Sequence, residues 1–140
     1  TEIKYCYNPE NEYGLQEFES FIKIDNEYVP DMSKDEIYLV IKENGYDIII
    51  TGCSHRGIIN IITEMQESSL LWERFFLFGG LHFRSKTYIE LIKLNQELDN
   101  LGVKRAFVNH CTFDYSNISK ELYTMEYFFA GDKIELGESK

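Results

Sequence analysis

Three histidines are the residues of this chain whose types and spacing could do chemistry, and all three occupy the same kind of place. His55 ends the run Asp47-Ile48-Ile49-Ile50-Thr51-Gly52-Cys53-Ser54. His82 ends Arg74-Phe75-Phe76-Leu77-Phe78-Gly79-Gly80-Leu81, and His110 ends Val103-Lys104-Arg105-Ala106-Phe107-Val108-Asn109. Each run reads as a buried strand, and a helix-like segment follows each one. In an open α/β sheet, ligand sites form in the crevice beyond the carboxyl ends of the strands. Three imidazoles delivered to that edge are the parts of a metal site assembled from several strand ends. Their long separations do not fit the short-spaced signature of a structural zinc knuckle. Zinc suits such nitrogen ligands.

Each histidine also has a plainer reading. In Thr51-Gly52-Cys53-Ser54-His55-Arg56-Gly57, two glycines bracket a strand-to-helix turn. Free N–H groups and the positive end of the helix dipole there favour an anion and a neutral imidazole. Arg56 is a candidate for binding a substrate phosphate, or a surface arginine. His55 could equally be a turn residue with no role. His82, between Leu81 and Phe83, could be a packed core histidine. His110 and Cys111 are neighbours, and on a strand neighbours point to opposite faces. They can share an ion only if the strand has ended before them. Cys111 and Cys53 read first as small buried apolar residues, with a thiolate ligand at Cys53 as the alternative.

These side chains need elements to position them. Ile37 to Ile41 and Tyr46 to Thr51 are two β-rich runs around Asn44-Gly45, the strongest short hairpin signal. From about Gly57, Ile58, Ile61, Ile62 and Met65 make one helical stripe, which Ser68-Ser69 ends. Phe75 to Phe78 is apolar throughout, as a strand covered on both faces should be. Thr87 with Glu90 forms a capping box, Leu91, Leu94, Leu98 and Leu101 a buried stripe, and Gly102 a C-terminal cap. Ala106 to Asn109 is a strand. A third helix is expected from about Ser116, with Ile118, Leu122, Met125 and Phe129 on one face. Gly131-Asp132 breaks it, and Lys133 to Leu136 is a closing strand. Residues 1 to 34 read as loops with room for one strand; Asp31, Asp35 and Glu36 read as turn and cap residues. The order after the hairpin is β-α-β-α-β-α-β, an α/β layered fold.

The chain has 140 residues, enough for one domain, with 44% hydrophobic and 15% aromatic residues to build a core. Its net charge of -10 argues against a nucleic-acid or membrane-surface binder. A small anionic substrate stays open, since a metal ion reverses the local sign. Three unpaired-looking cysteines suit a reducing, cytoplasmic compartment better than a disulfide framework. No apolar run approaches the ~20 residues that span a bilayer, and no signal peptide is visible. The chain begins at Thr1 rather than at a methionine, as a processed or an artificially cut end would. No G-x-x-x-x-G-K, G-x-G-x-x-G or G-x-S-x-G sequence occurs, so those nucleotide and hydrolase readings lose support.

Taken together, the hairpin, Thr51 to Asn60, Gly79-Gly80-Leu81-His82 and His110-Cys111-Thr112 resemble the C-terminal half of metallo-β-lactamase-fold hydrolases. Within that superfamily they are most similar to the branch of dihydropterin-ribofuranosylaminobenzene-phosphate synthase-like proteins. The resemblance runs from about residue 31 onward and is most specific around His55. It implies half of an αββα sandwich over residues 35–140, after an irregular segment 1–34, with zinc or another divalent metal at one sheet edge, dinuclear in a complete enzyme. It also implies His55 and His110 as metal ligands, and His82 as a ligand or a substrate-contacting group. The family tends to continue Cys-Thr-Gly after the last histidine; here Phe113 stands in place of that glycine, which reshapes the pocket wall. The superfamily's main metal motif, His-x-His-x-Asp-His, is absent from these residues. The resemblance therefore implies a chain that is inactive alone, with an apolar sheet face to be covered by a separate N-terminal half, by a second copy, or by the rest of a longer protein from which the domain comes. The competing expectation is a non-catalytic interaction or regulatory module that keeps the fold.

Overall fold

The computed structural model describes residues 2–5, 21–31, 33, 36–43, 45–68, 71, 74–113 and 120–136. Strands β1 (Glu2–Tyr5), β2 (Phe21–Ile24), β3 (Glu27–Pro30), β4 (Ile37–Glu43) and β5 (Tyr46–Thr51) come first. Helix α1 (Ile58–Glu67), β6 (Phe75–Gly79), α2 (Tyr88–Asn100), β7 (Val103–Val108) and β8 (Met125–Tyr127) follow. Six strands form one sheet in the order β1-β4-β5-β6-β7-β8, while β2 and β3 pair separately. The β4–β5 hairpin is antiparallel. From β5 onward all pairs are parallel.

That sequential order decides where the helices go. β5-α1-β6 and β6-α2-β7 are successive crossovers advancing in the same direction. Right-handed crossovers then put both helices on the same face of the sheet. The packing agrees. Val40, Ile49, Leu77, Ala106 and Met125 are in register across five strands. They share one core with Ile58, Ile61, Ile62 and Met65 of α1 and with Leu91 and Leu98 of α2. Each fully buried aliphatic side chain there stabilises the fold by about 1.5–3 kcal/mol. The capping box at Thr87 and Glu90 forms as expected. The buried stripe of α2 differs by one residue, since Asn95 is buried between Leu91 and Leu98 while Leu94 and Leu101 are only half-buried. Its amide oxygen explains this by accepting from the Thr124 N–H.

The opposite face carries Leu39, Ile41, Ile48, Ile50, Phe76, Phe78 and Phe107, again in register. Among the described residues no helix covers it. Phe78 stacks on Phe107 and meets Phe128 edge-on, but Ile37 stays 51% and Ile50 39% exposed. The sheet is thus helical on one side; on the other, Phe76 and Phe107 are buried while apolar surface stays exposed at Ile37 and Ile50.

Three expectations change. Residues 1–34 hold three strands among those described, and β1 joins the main sheet by pairing with β4. The expected third helix does not occur over residues 120–129; its start near Ser116 lies outside the described residues. Met125–Tyr127 instead adds a parallel strand beside Ala106–Val108. Period-2 burial wins there: Met125 is buried, Glu126 exposed and ion-paired with Arg105, Tyr127 half-buried. Phe129, a member of the supposed stripe, is 54% exposed. Lys133 to Leu136 is not a strand; β8 takes that closing place. Among the described residues no helix is long and apolar enough to cross a membrane.

Candidate metal centre

Because β5, β6 and β7 run parallel side by side, the three segments after them leave the sheet at one edge. Backbone bonds tie them together there. Gly80 N donates to Gly52 O at 2.7 Å, and Asn109 N to Gly79 O at 3.3 Å. Leu81 N donates to Thr112 Oγ1, which itself donates to Asn109 O. The seams are tight. A Cβ on Gly79, whose φ is +139°, would fall 2.4 Å from Thr51 Oγ1. Ser54, His82 and His110 all adopt left-handed backbone, with φ of 56°, 54° and 22°. Non-glycine residues held this way cost about 1–3 kcal/mol each and cluster at functional sites.

The histidines fall into two groups at this edge. The rings of His55 and His82 lie 4.3 Å apart, centre to centre, and tilt by 39°. His110 turns to sulfur: its Nε2 is 3.0 Å from Cys53 Sγ. Among the described residues, Cys53, His110 and Cys111 gather their ligand atoms within 4.8 Å of one another; His55 and His82 stand outside that trio. The His110 Nδ1 lies 2.5 Å from Asn109 Oδ1. An amide oxygen only accepts, so this bond assigns the ring proton to Nδ1 and leaves the Nε2 lone pair toward Cys53. Burial, with Cys53 beside it, pushes the Cys111 thiol up to about 11.

Strand β7 ends at Val108, and His110 has left the extended region. The alternation that would send His110 and Cys111 to opposite faces therefore no longer applies. Both reach the same spot. Neither Asn109 nor this pairing was visible from the sequence, because an asparagine before a histidine carries no signal until its carbonyl is placed.

The turn around His55 also differs from expectation. Helix α1 starts at Ile58 with Gly57 as its N-cap, and the N–H groups of His55 and Arg56 are already taken. They donate to the two carboxylate oxygens of Glu36, at 2.8 and 3.1 Å. The chain supplies its own anion there. Arg56 is buried, with its guanidinium 3.5 Å from the Glu64 carboxylate, so its placement is that of an internal ion pair. Asp31 accepts from Ser33 N as a turn residue; Asp35 lies outside the described residues, as does Cys6. Phe113 packs into the core, edge-on to Tyr127, and its carbonyl accepts from the Tyr127 hydroxyl.

No family model matches the sequence. The chain is 30% identical, over 100 residues, to the 7,8-dihydropterin-6-methyl-4-(beta-D-ribofuranosyl)-aminobenzene-5'-phosphate synthase of Methanocaldococcus jannaschii. That match covers 71% of this chain and 34% of the synthase. An uncharacterised protein of the same organism is 40% identical over 73 residues, 52% of this chain and 25% of that protein. A crystal structure of a metal-dependent hydrolase of the β-lactamase superfamily superposes with a TM-score of 0.71 at 29% identity. It spans 84% of this chain and 47% of the solved one. The chain thus spans between a quarter and a half of the length of the proteins it matches. In sequence and in fold it is a relative of the metallo-β-lactamase superfamily, on the side of the dihydropterin-ribofuranosylaminobenzene-phosphate synthase-like branch.

Proposed function

We propose that this chain is the portion of a metal-dependent hydrolase that contributes strand-end ligands, and that it needs a second segment carrying His-x-His-x-Asp-His to turn over substrate. The observation that carries the reading is the delivery of His55, His82 and His110 by three consecutive parallel strands to one edge. The donor set fits a divalent ion. His110 has its Nδ1 committed to Asn109 and its Nε2 lone pair turned to Cys53, the arrangement by which a neighbouring acceptor orients a ligating imidazole. His55 and His110 are the ligands in this reading, and His82 is a third ligand or a substrate contact. Zinc or another divalent ion, one or a pair, would supply Lewis acidity and an activated water near neutral pH. The chain's own residues orient that chemistry: Asn109 sets a tautomer, Glu36 holds the His55 turn, and Gly79 lets β6 close on β5.

The exposed part of the sheet face without helices supports the requirement for a partner. The apolar surface left exposed at Ile37 on β4 and Ile50 on β5 is what a second half, or a second copy, would bury. The phosphate in the relative's name makes a small anionic phosphoester the first substrate class to test, although Arg56 is buried and ion-paired with Glu64. Purified chain should be analysed for bound metal and for phosphoester hydrolysis, with and without a supplied N-terminal half. Metal uptake and turnover only with the half present support the proposal; turnover by the chain alone contradicts it.

A further inference from the structure

We propose that Cys53 and Cys111 are a reversible oxidation site, a dithiol that closes into an intramolecular disulfide across the end of β6. The proposal goes beyond the hydrolase reading and stands without it, since it needs no ion and no second segment.

Both cysteines are free and lie 58 residues apart in sequence. Within the sheet they could not be joined. β6 lies between β5 and β7, and neighbouring strands stand about 4.8 Å apart, so residues on those two strands are separated by ~9–10 Å. A disulfide spans at most about 7 Å between Cα atoms. Beyond the strand ends the separation collapses. β5 ends at Thr51 and β7 at Val108, and His110 turns left-handed, with a φ of 22°. Cys111 then reaches back over the end of β6. Its Sγ lies 3.8 Å from the Cys53 carbonyl oxygen and within 4.8 Å of the Cys53 Sγ. Gly80 permits that crossing. A Cβ there would meet Cys111 Sγ at 2.5 Å, so only a hydrogen leaves room for the sulfur to pass.

The sulfurs must approach from that separation to ~2.05 Å. Both cysteines lie in irregular segments, where side-chain rotation and small backbone shifts supply the movement without breaking a strand pair. Thr112, hydrogen-bonded to Leu81 and Asn109, anchors the chain beyond Cys111. Both cysteines are half-buried, beside an exposed His110, so a small reagent reaches them. Redox-responsive cysteines combine solvent access with a second, resolving cysteine close by, and this pair has both.

The oxidant is a low-molecular-weight disulfide, RSSR. One thiol of the pair loses its proton and its sulfur attacks RSSR. A protein–SR bond forms, the reagent's S–S bond breaks, and the departing half takes up the proton as RSH. The second thiol then loses its proton and attacks the protein sulfur of that mixed disulfide. The Cys53–Cys111 bond forms, the bond to SR breaks, and a second RSH leaves. The protein gives up two electrons and two protons, and RSSR is reduced to two RSH. The closed form ties the segment carrying His55 to the one carrying His110, and commits to Cys111 the Cys53 sulfur that otherwise lies 3.0 Å from His110 Nε2.

The test is treatment of the full, reduced chain with excess oxidised glutathione, quenched by alkylation in denaturant and read by peptide mapping in a mass spectrometer. Wild type should lose both thiols of this pair, keep no glutathione on either, and give a crosslinked peptide joining Cys53 to Cys111. Dithiothreitol should restore both thiols. Cys53→Ser and Cys111→Ser should each stop at the mixed disulfide, with glutathione held on the remaining partner, and Cys6→Ser should behave as wild type. Where a variant misfolds, the wild-type map decides alone. A crosslink to Cys6 or between chains overturns the proposal. So does glutathione that persists on Cys53 or Cys111 of wild type, or a pair that stays reduced until urea unfolds the chain.

Discussion

The Glu36 carboxylate accepts from the His55 N–H at 2.8 Å and from the adjacent Arg56 N–H at 3.1 Å, bridging nineteen residues of sequence. It holds in place the turn from which His55 projects. Glu36→Gln exchanges one acceptor oxygen for a donor, which then faces an N–H. A loss of about 1.5–3 kcal/mol is expected, the scale of hydrogen bonds to charged groups. Urea denaturation measures it, and an unchanged midpoint would show that the turn holds without Glu36.

Two adjacent glycines should separate stability from metal uptake. Gly79→Ala places a Cβ against the Thr51 backbone and side chain at a positive φ, and should destabilise the fold by about 2 kcal/mol or more. Gly80→Ala meets the ends of Cys111 and His110 instead. It should cost less stability and depress cobalt affinity. Thermal melts and cobalt titration on both variants distinguish them, and equal effects on both measurements would refute the division.

The α2 cap gives a pH dependence. Hydrogen bonds from the side chain and backbone of Thr87 hold the Glu90 carboxyl below its ordinary range. A lowered folded-state value means the contribution is present above the unfolded value and is lost as pH falls through the folded one. Thr87→Ala should cost about 1 kcal/mol at neutral pH. The difference from wild type should shrink in acid. A constant gap from neutral to strongly acidic pH would count against the charged cap.

The exposed apolar positions of β4 and β5 predict association. Ile37→Lys with Ile50→Lys puts charge on two of them and should shift sedimentation toward monomer, with far-ultraviolet circular dichroism unchanged. A wild-type chain that stays monomeric at high concentration would remove the case for a covered face.

What could be read from the sequence was local or periodic. The Asn44-Gly45 hairpin, the isoleucine stripe of α1, the Thr87–Glu90 box and the all-apolar β6 each depend on residues a few positions apart, where spacing alone decides which side chains share a face. The meeting of three histidine-bearing segments at one edge followed from the β-α-β alternation. Helical spacing misled at Met125, because Leu122, Met125 and Phe129 suit a stripe while the free edge of β7 offered hydrogen bonds to a strand. Only the tertiary structure decided that His110 turns to Cys53, 57 residues away, that Glu36 fills the turn expected to hold an outside anion, and that Arg56 faces inward to Glu64. Those choices depend on strand register and on which backbone groups are left unpaired at the edge, quantities that exist only once distant segments are side by side.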